Sequence, residues 1–355
     1  MDFAPGRSAA DPALETLLLP FADGQLAWPE QGCVLFLQAR TGAMLPAHAR
    51  QWTCEQGFRP LADRLRNAGM TVVPEAEGGA RYPMVLMLLP RQREQARALL
   101  ARALDLAGPE GLVLASAAND EGARSAEADL RRLAGPVPSL SKNHCRVFWS
   151  PPGPRQLNAS LQAEWRGADA PRAVVGGRFV SRPGVFAWDR IDTASAMLAE
   201  CLPAELSGRG ADLGAGYGFL SVCLLEHCPG IRSLDLFEAD SRALALARVN
   251  VGAAARRIAP VALSFHWHDV AAGIPGGYDF IVSNPPFHQG KAGQPELGRS
   301  FIAAAAAALA PEGCLWLVAN RHLPYEAELA SRFIQVRTVR DEQGFKVIQA
   351  SGARK

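Results

Sequence analysis

One pattern occurs twice in this chain, and the internal repeat limits the possible folds more than any other feature. Tyr82-Pro-Met-Val-Leu-Met-Leu-Leu-Pro90 matches Tyr278-Asp-Phe-Ile-Val-Ser-Asn-Pro-Pro286. Ala107-Gly-Pro-Glu-Gly-Leu-Val-Leu-Ala115 matches Leu309-Ala-Pro-Glu-Gly-Cys-Leu-Trp-Leu317 in the same order. A repeat of this kind indicates one fold used twice. The length of 355 residues leaves room for two such domains.

Short apolar runs alternate with helical periodicity along both halves, which predicts α/β sheets with mostly parallel strands. In the first half we predict strands at 33–38, 71–74, 84–89 and 112–116, and helices at 11–20, 61–68, 92–107 and 122–133. In the second half we predict strands at 210–213, 233–237, 262–267, 280–283 and 314–319, with helices at 192–202, 219–227, 241–254, 298–310 and 325–332. Hairpins are expected at 173–186 and at 333–339 with 345–350.

The domain boundary is expected where this alternation stops. Residues 151–171 are rich in proline and polar side chains, which is typical of a linker. We therefore predict domains at 1–150 and 172–355. The first copy has Leu88-Leu89-Pro90 where the second has Asn-Pro-Pro, and its first strand runs into Gln38-Ala-Arg-Thr-Gly42 without a glycine turn. The first domain is therefore predicted to be a degenerate, catalytically inactive copy.

Composition excludes several classes of protein. With 48% hydrophobic and 20% charged residues, the chain is expected to be globular, and a net charge of +2 neither requires nor excludes a nucleic-acid partner. The seven cysteines are scattered without metal-ligand spacing, so reduced thiols in a cytoplasmic protein and no bound metal are expected. The first residues carry an acid and lack a long apolar run, so no signal peptide is expected. No apolar run reaches membrane-spanning length, so no membrane partner is expected.

A glycine-rich turn follows the first strand of the second copy. Asp212-Leu-Gly-Ala-Gly-Tyr-Gly218 comes after a strand and before a helix. Glycines at 214 and 216 would let the backbone approach a ligand closely, and the helix would offer free N–H groups at its start. A plain tight turn explains the glycines alone equally well.

Acidic residues follow the next two strands. Glu238 lies at the end of one strand, where this type of fold places a carboxylate that binds ribose hydroxyls. Asp240 is better explained as the cap of the helix that starts at Ser241. Asp269 follows a further strand and is either an acceptor for an adenine amino group or a solvated loop acid. His266 and His268 lack a third ligand for a metal.

Asn284-Pro285-Pro286-Phe287 ends the strand predicted at 280–283. Pro285 and Pro286 have no backbone N–H. The groups left to contact a ligand are the Asn284 side-chain amide, the Pro285 carbonyl and the Phe287 ring. Two carbonyl oxygens accept both protons of an amino group, and the ring can stack on the plane that carries it. The sequence therefore predicts a site that holds a planar amine as a nucleophile.

These four elements in this order resemble class I S-adenosylmethionine-dependent methyltransferases that act on amino groups. A closer resemblance is to the ribosomal RNA small subunit methyltransferase C family and its large-subunit relative, which methylate guanine N2. The matching stretches are Pro183-Gly-Val-Phe186 with Asp192 and Ser195, the glycine loop, Val282 to His288 with Gly290, Val318-Ala-Asn320, Leu323-Pro-Tyr325, and Phe345-Lys-Val347. The chain departs from the family at Ala187-Trp188, where Ser-Arg is expected.

The resemblance implies two tandem Rossmann-like methyltransferase domains, each a mostly parallel seven-stranded sheet with a C-terminal antiparallel hairpin. It implies S-adenosylmethionine as cofactor, and a guanine of 16S ribosomal RNA or the 30S subunit as substrate. A monomer is expected. The implied catalytic residues are Asn284, Pro285, Pro286 and Phe287. Cofactor contacts would come from Asp212, Gly214, Ala215, Gly216, Glu238, Ala239, Asp269 and Asn284, and substrate contacts from Phe186, Phe287 and His288.

Four alternatives stay open. Large-subunit guanine, adenine N6 or protein glutamine could be the methylated group, or the protein could be a catalytically silent RNA-binding assembly factor. Binding RNA needs positively charged side chains. Each candidate arginine or lysine, taken singly, is also explained as part of a solvated helix face. The candidates are Arg91, Arg93, Arg97, Arg124, Arg131, Arg132, Lys142 and Arg146 in the first half, and Arg256, Arg257, Lys291, Arg299, Arg354 and Lys355 in the second.

Overall fold

The computed structural model describes residues 11–150, 153, 156–258, 260–286 and 295–354. The chain divides into two compact units, Met1–Ala170 and Pro171–Lys355. Each unit is an α/β sandwich with a central sheet and helices on both faces.

The first unit has seven strands in the order β3-β2-β1-β4-β5-β7-β6. The strands are β1 (Val34–Leu37), β2 (Thr53–Glu55), β3 (Thr71–Val73), β4 (Met84–Leu88), β5 (Leu112–Ala118), β6 (Ser139–Lys142) and β7 (Cys145–Ser150). The helices are α1 (Pro12–Ala22), α2 (Arg59–Asn67), α3 (Arg93–Ala107), α4 (Ala123–Ala134) and α5 (Ala159–Arg166). The first five strands in this order are parallel, and β7 and β6 form an antiparallel hairpin at one edge.

The second unit repeats this topology as β12-β11-β10-β13-β14-β16-β15. A small hairpin, β8 (Arg172–Val174) and β9 (Phe179–Ser181), precedes it. The sheet strands are β10 (Ser207–Leu213), β11 (Gly230–Glu238), β12 (Ala262–Trp267), β13 (Tyr278–Ser283), β14 (Leu309–Asn320), β15 (Phe333–Glu342) and β16 (Phe345–Ala353). The helices are α6 (Thr193–Cys201), α7 (Phe219–His227), α8 (Ser241–Ala255), α9 (Pro295–Ala308) and α10 (Glu326–Arg332).

Central strands in both sheets are buried on both faces, as expected for parallel strands covered by helices. All residues of β1 and β4 are buried, as are all residues of β13 except Asp279. One face of the second sheet packs on α6, α7 and α8, and the other packs on α9 and α10. The predicted fold of two tandem Rossmann-like domains is confirmed.

Some elements differ from their prediction. The sequence analysis did not identify β2, β6 or β7, because β2 has only three residues and β7 carries Arg146 within its apolar run. The stretch predicted as a linker contains helix α5, whose Trp165 is 2% exposed and packs in the core of the first unit. Among the residues described, no helix is both long enough and apolar enough to cross a membrane.

Candidate active site

Three predicted site elements meet at the carboxyl edge of the second sheet. Strand β10 lies between β11 and β13, and the three strands are parallel. Their ends, Leu213, Glu238 and Ser283, therefore lie at the same edge. The chain continues in opposite directions across the sheet from β10, which makes this edge a topological switch point, where α/β folds bind ligands.

The glycine loop between β10 and α7 is held by its own backbone. Gly214, Gly216 and Gly218 have φ values of +76°, +57° and +92°, which favour glycine. The N–H groups of Gly214 and Ala215 donate to the Phe237 carbonyl at 2.9 and 3.1 Å. Gly218 N–H donates to the Ala215 carbonyl at 2.9 Å. The loop therefore uses these N–H groups to fix its own shape, and the helix whose first N–H groups were expected to be free begins only at Phe219.

The space around the backbone differs between Gly216 and Gly218. A Cβ atom at Gly218 would lie 2.7 Å from Val251 Cγ2, so close packing on α8 demands glycine there. A Cβ atom at Gly216 would have no heavy atom within 4 Å among the residues described. The backbone at Gly216 is therefore open to a ligand.

Asp212 anchors the start of α7. The side chain is completely buried, and its Oδ2 accepts a hydrogen bond from Ser221 Oγ at 2.7 Å. Oδ1 has no hydrogen-bond partner among the described residues. Burial raises the pKa of Asp212 to about 6, although the hydroxyl and backbone N–H of Ser221 oppose this. The carboxylate thus positions the loop and the helix.

Asp212→Asn is expected to stabilise the protein more at pH 8 than at pH 5, because the raised pKa of Asp212 makes the wild type lose stability as pH rises from about 4 to about 6. The whole interval amounts to about 3 kcal/mol, of which about half falls between pH 5 and pH 8. The asparagine oxygen can still accept from Ser221 and carries no charge. Thermal melts of both proteins at the two pH values test this, and a difference in Tm that does not change with pH would contradict it.

Glu238 connects β11 to the glycine loop. Its Oε2 accepts from Gly216 N–H at 2.7 Å, and its Oε1 accepts from Asp240 N–H at 2.7 Å. Burial raises the pKa of Glu238 to about 7. The neighbouring Ala239 carbonyl accepts from Trp267 Nε1 at 2.8 Å. Asp240 caps α8 by accepting from Arg242 N–H at 2.9 Å, which confirms that expectation.

Asn284 is held by α6. Its Nδ2 donates to Asp192 Oδ2 at 3.0 Å and to Ser195 Oγ at 2.8 Å. Asp192 is the N-cap of α6 and accepts from Ser195 N–H at 2.9 Å. Ser283 Oγ donates to the Leu213 carbonyl at 2.8 Å, which joins the end of β13 to β10. Pro285 is buried and Pro286 is half-buried.

One cavity lies between the glycine loop, the start of α6 and Asn284, and its lining includes Asp192, Ser195, Gly214, Gly216 and Asn284. Glu238 is not in this lining and is connected to it through the bond from Gly216 N–H. The sequence places Asp192 and Ser195 only within a stretch that resembles the family, because an N-cap aspartate signals the start of a helix and not its contact with Asn284.

Phe186 also lines this cavity and is 68% exposed, so its ring is available at the rim. The next residue, Ala187, has a φ of +48°, a strained value outside glycine. Phe287 and His288 lie outside the described residues.

Asp269 is not part of the cavity lining. It follows β12 and caps a short 3-10 helix, Val270–Ala272, by accepting from Ala271 N–H at 3.0 Å. His268 Nε2 lies 2.6 Å from the Gly273 carbonyl oxygen. Within the described part of the chain, no group of three or more His, Cys, Asp or Glu side chains could hold a metal ion.

In the first unit, the position that corresponds to Glu238 is filled by a side chain that bonds back to the loop. Ala39 N–H donates to the Glu55 carbonyl at 3.1 Å, as Gly214 does to Phe237, so Gln56 occupies the place of Glu238. Gln56 Oε1 accepts from Phe58 N–H at 2.9 Å, which repeats the bond between Glu238 and Asp240. Gln56 Nε2 donates to the Ala39 carbonyl at 2.7 Å, and the side chain is 1% exposed. A neutral amide that bonds the loop thus replaces the acid.

Comparisons with known proteins agree with this arrangement. Residues 176–349 match the family model of the methyltransferase small domain. Ribosomal RNA small subunit methyltransferase C of Salmonella paratyphi B is 30% identical over 336 residues, which cover 92% of this chain and 92% of that protein. The protein of the same name from Psychromonas ingrahamii is 27% identical over 82% of both chains.

The solved structure of the T. thermophilus 16S rRNA N2 methyltransferase RsmC, in complex with AdoMet and guanosine, has a TM-score of 0.77 at 24% identity and covers 97% of this chain and 93% of that one. This likeness extends to the two-domain fold. Because a relative at 30% identity aligns with 92% of the sequence, the chain belongs to the ribosomal RNA small subunit methyltransferase C family.

Proposed function

We propose that this protein transfers a methyl group from S-adenosylmethionine to the exocyclic N2 amine of a guanine in 16S ribosomal RNA. The observation that carries the proposal is the corner at Asn284 and Pro285, which lies beside the glycine loop and has its amide nitrogen turned to α6. Such a corner offers carbonyl oxygens to an amino group. Membership of the family supports the same reaction.

The residues at the carboxyl edge fit S-adenosylmethionine. The Glu238 carboxylate uses one hydrogen bond at each oxygen and keeps lone pairs for two ribose hydroxyls. The open backbone at Gly216 leaves space for the amino-acid part. Gly214, Ala215, Ala239 and Asp269 are the other proposed contacts, and Asp212 supports them from below the loop. When bound, the cofactor would supply a methyl group on a positively charged sulfur. The nitrogen lone pair would displace the neutral thioether, and the methylated amine would then release one proton to solvent.

The target amine is held by acceptors. Asn284 Oδ1 and the Pro285 carbonyl would each accept one N–H of guanine N2, which orients the nitrogen lone pair and supplies much of the rate by alignment. The base must leave its stack to enter a cavity of this kind. Stacking on an aromatic side chain returns about 1–3 kcal/mol per base. We propose Phe287 and the exposed Phe186 for this role, with His288 and Pro286 completing the substrate contacts.

The first domain is proposed to hold RNA rather than to catalyse. Asp129 is 3% exposed and is contacted by Arg93, Arg97 and Arg132. Three guanidinium groups around one carboxylate leave an excess of positive charge on α3 and α4. RNA phosphates attract such a surface, and the attraction weakens with salt.

We expect one molecule of S-adenosylmethionine to bind per chain, because Gln56 closes the equivalent position in the first domain. Isothermal titration calorimetry with the full chain measures the stoichiometry. Glu238→Ala should weaken the single event, whereas Gln56→Ala should leave it unchanged. Two binding events, or a site that responds to Gln56→Ala, would contradict the closed position.

The function is tested by labelled methyl transfer to three acceptors: assembled 30S subunits, naked 16S rRNA and a release-factor protein. The expected result is label in N2-methylguanosine from one of the ribosomal substrates. Label in protein alone would identify a glutamine methyltransferase, and label in N6-methyladenosine would identify an adenine enzyme. Binding of S-adenosylmethionine without transfer to any acceptor would favour the silent assembly factor.

A further inference from the structure

We propose that Asp192 and Ser195 are positioning residues that fix the side-chain amide of Asn284 so that its oxygen faces the acceptor amine. This inference rests on the proposed function and deepens it. Neither side chain needs to touch the substrate for this role. Both act through Asn284, whose Nδ2 lies 3.0 Å from Asp192 Oδ2 and 2.8 Å from Ser195 Oγ.

The orientation of the amide follows from the chemistry of its partners. An ionised carboxylate only accepts hydrogen bonds, so the group that faces Asp192 must be the nitrogen. The opposite orientation would place Asn284 Oδ1 against a carboxylate oxygen and lose a charge-assisted bond. Both protons of Nδ2 are used by α6, and no described residue donates to Oδ1. Oδ1 is therefore left to accept a hydrogen bond from the target amine.

Asp192 is itself held by the start of α6. The same oxygen that accepts from Asn284 also accepts from Ser195 N–H at 2.9 Å, because Asp192 is the N-cap of that helix. Ala194, Met197 and Leu198 anchor α6 in the core. The helix therefore positions the amide, although Asp192 and Asn284 are 92 positions apart in the sequence.

The consequence is selectivity for a group with two N–H protons. A freely rotating asparagine can offer either its oxygen or its nitrogen to a substrate. A fixed Asn284 offers only its oxygen, so a carbonyl or a ring nitrogen without hydrogen would meet an acceptor instead of a donor. This suits an exocyclic amine such as guanine N2 and disfavours the carbonyl at guanine O6.

Three variants separate positioning from other roles. Asp192→Ala removes the acceptor, and kcat is expected to fall about 100-fold, as for other small misplacements of a reacting group. KM for RNA and the Kd for S-adenosylmethionine should change less than about threefold. Asp192→Asn keeps an oxygen in the same place and should recover kcat to within about tenfold of wild type. Ser195→Ala keeps the bond from Asn284 to Asp192 and should lose less activity than Asp192→Ala.

The loss of a helix cap needs its own control. Asn158→Ala removes the N-cap of α5 in the first unit, where the asparagine accepts from Leu161 N–H at 3.0 Å. It should lower Tm as Asp192→Ala does and leave kcat unchanged. Wild-type kcat in Asp192→Ala would overturn the proposal. Equal losses in Asp192→Ala and Asp192→Asn would also overturn it, because the side-chain oxygen that Ser195 N–H holds in place in Asp192→Asn can still accept from Asn284 Nδ2.

A measurement without substrate keeps this inference distinct from the proposed reaction. The side-chain NH₂ signal of Asn284 is assigned in ¹⁵N-asparagine-labelled protein by its absence in Asn284→Ala. Its hydrogen exchange is expected to accelerate at least about tenfold in Asp192→Ala and to stay close to wild type in Asp192→Asn. An exchange rate that is the same in wild type and Asp192→Ala would show that α6 does not hold the amide, whether or not the protein methylates RNA.

Discussion

Replacing Asn284 by alanine is expected to reduce methyl transfer by about a thousandfold, because the substitution removes an acceptor aimed at the reacting amine. S-adenosylmethionine affinity should stay within about threefold of wild type, since the ribose and the glycine loop are held elsewhere. Radiolabel transfer to 16S rRNA and calorimetry measure the two quantities. Unchanged transfer in the variant would contradict the amine-holding role.

A second substitution at the same position serves as the contrast. Asn284→Asp keeps the size of the side chain but places a carboxylate 3.0 Å from the acceptor oxygen of Asp192. Like charges at such a distance repel, so the side chain must turn away or take up a proton. Transfer should fall as in the alanine variant at neutral pH and should improve as the pH is lowered, when one of the two carboxylates is protonated.

Glu238→Ala is expected to weaken S-adenosylmethionine binding by about 100-fold or more, because hydrogen bonds to a charged group contribute about 1.5–3 kcal/mol each. The variant also removes the acceptor for Gly216 N–H, so the glycine loop loses its tie to β11. Calorimetry measures the loss. An affinity equal to wild type would contradict the assignment of Glu238 to the ribose.

The pH dependence of binding tests the same residue. Ribose hydroxyls donate to the ionised carboxylate, so binding should tighten as pH rises through the pKa of about 7 and then level off. About a tenth of the groups are ionised one pH unit below the pKa, so affinity should be about tenfold weaker there. Glu238→Gln has no such group and should bind with little pH dependence over this range. A wild-type affinity that does not change with pH would contradict this account.

Much of the fold could be predicted because strands and helices leave local signals. The limits predicted for α7 and β12 agree with the structure, since apolar periodicity and flanking turns define both elements. Strand β2 could not be recognised, because Thr53-Cys-Glu55 is too short to show periodicity and is held by its neighbours β1 and β3. Helix α5 was missed because prolines and polar residues precede it.

The sequence could assign a residue to the site only where that residue directly follows a strand. Asn284 and Glu238 follow strand ends, so their meeting could be inferred from a parallel sheet. The tie between Asn284 and Asp192 could not, because it depends on how α6 packs on the sheet. The internal use of the loop N–H groups also depends on a contact with Phe237, from the neighbouring strand. The roles of Phe287 and His288 stay predictions.

One residue shows how the two copies differ in physical terms. Both copies place a side chain at the same turn after their second strand, and both use it to accept from the N–H two residues later. In the first copy this side chain is Gln56, whose remaining amide nitrogen bonds the loop carbonyl of Ala39. In the second copy it is Glu238, whose carboxylate has no N–H to donate and can only accept further hydrogen bonds. An amide in place of the acid therefore gives an internal tie where we propose a ribose acceptor in the second copy.

The central claim is that this chain methylates a guanine amine of 16S rRNA through the corner at Asn284. Mass spectrometry of 16S rRNA nucleosides from a strain that lacks the protein tests it most directly, with the strain complemented by wild type or by Asn284→Ala. The expected result is one N2-methylguanosine that is missing in the deletion strain, restored by wild type and not restored by Asn284→Ala. An unchanged N2-methylguanosine content in the deletion strain, or full restoration by Asn284→Ala, would contradict the claim.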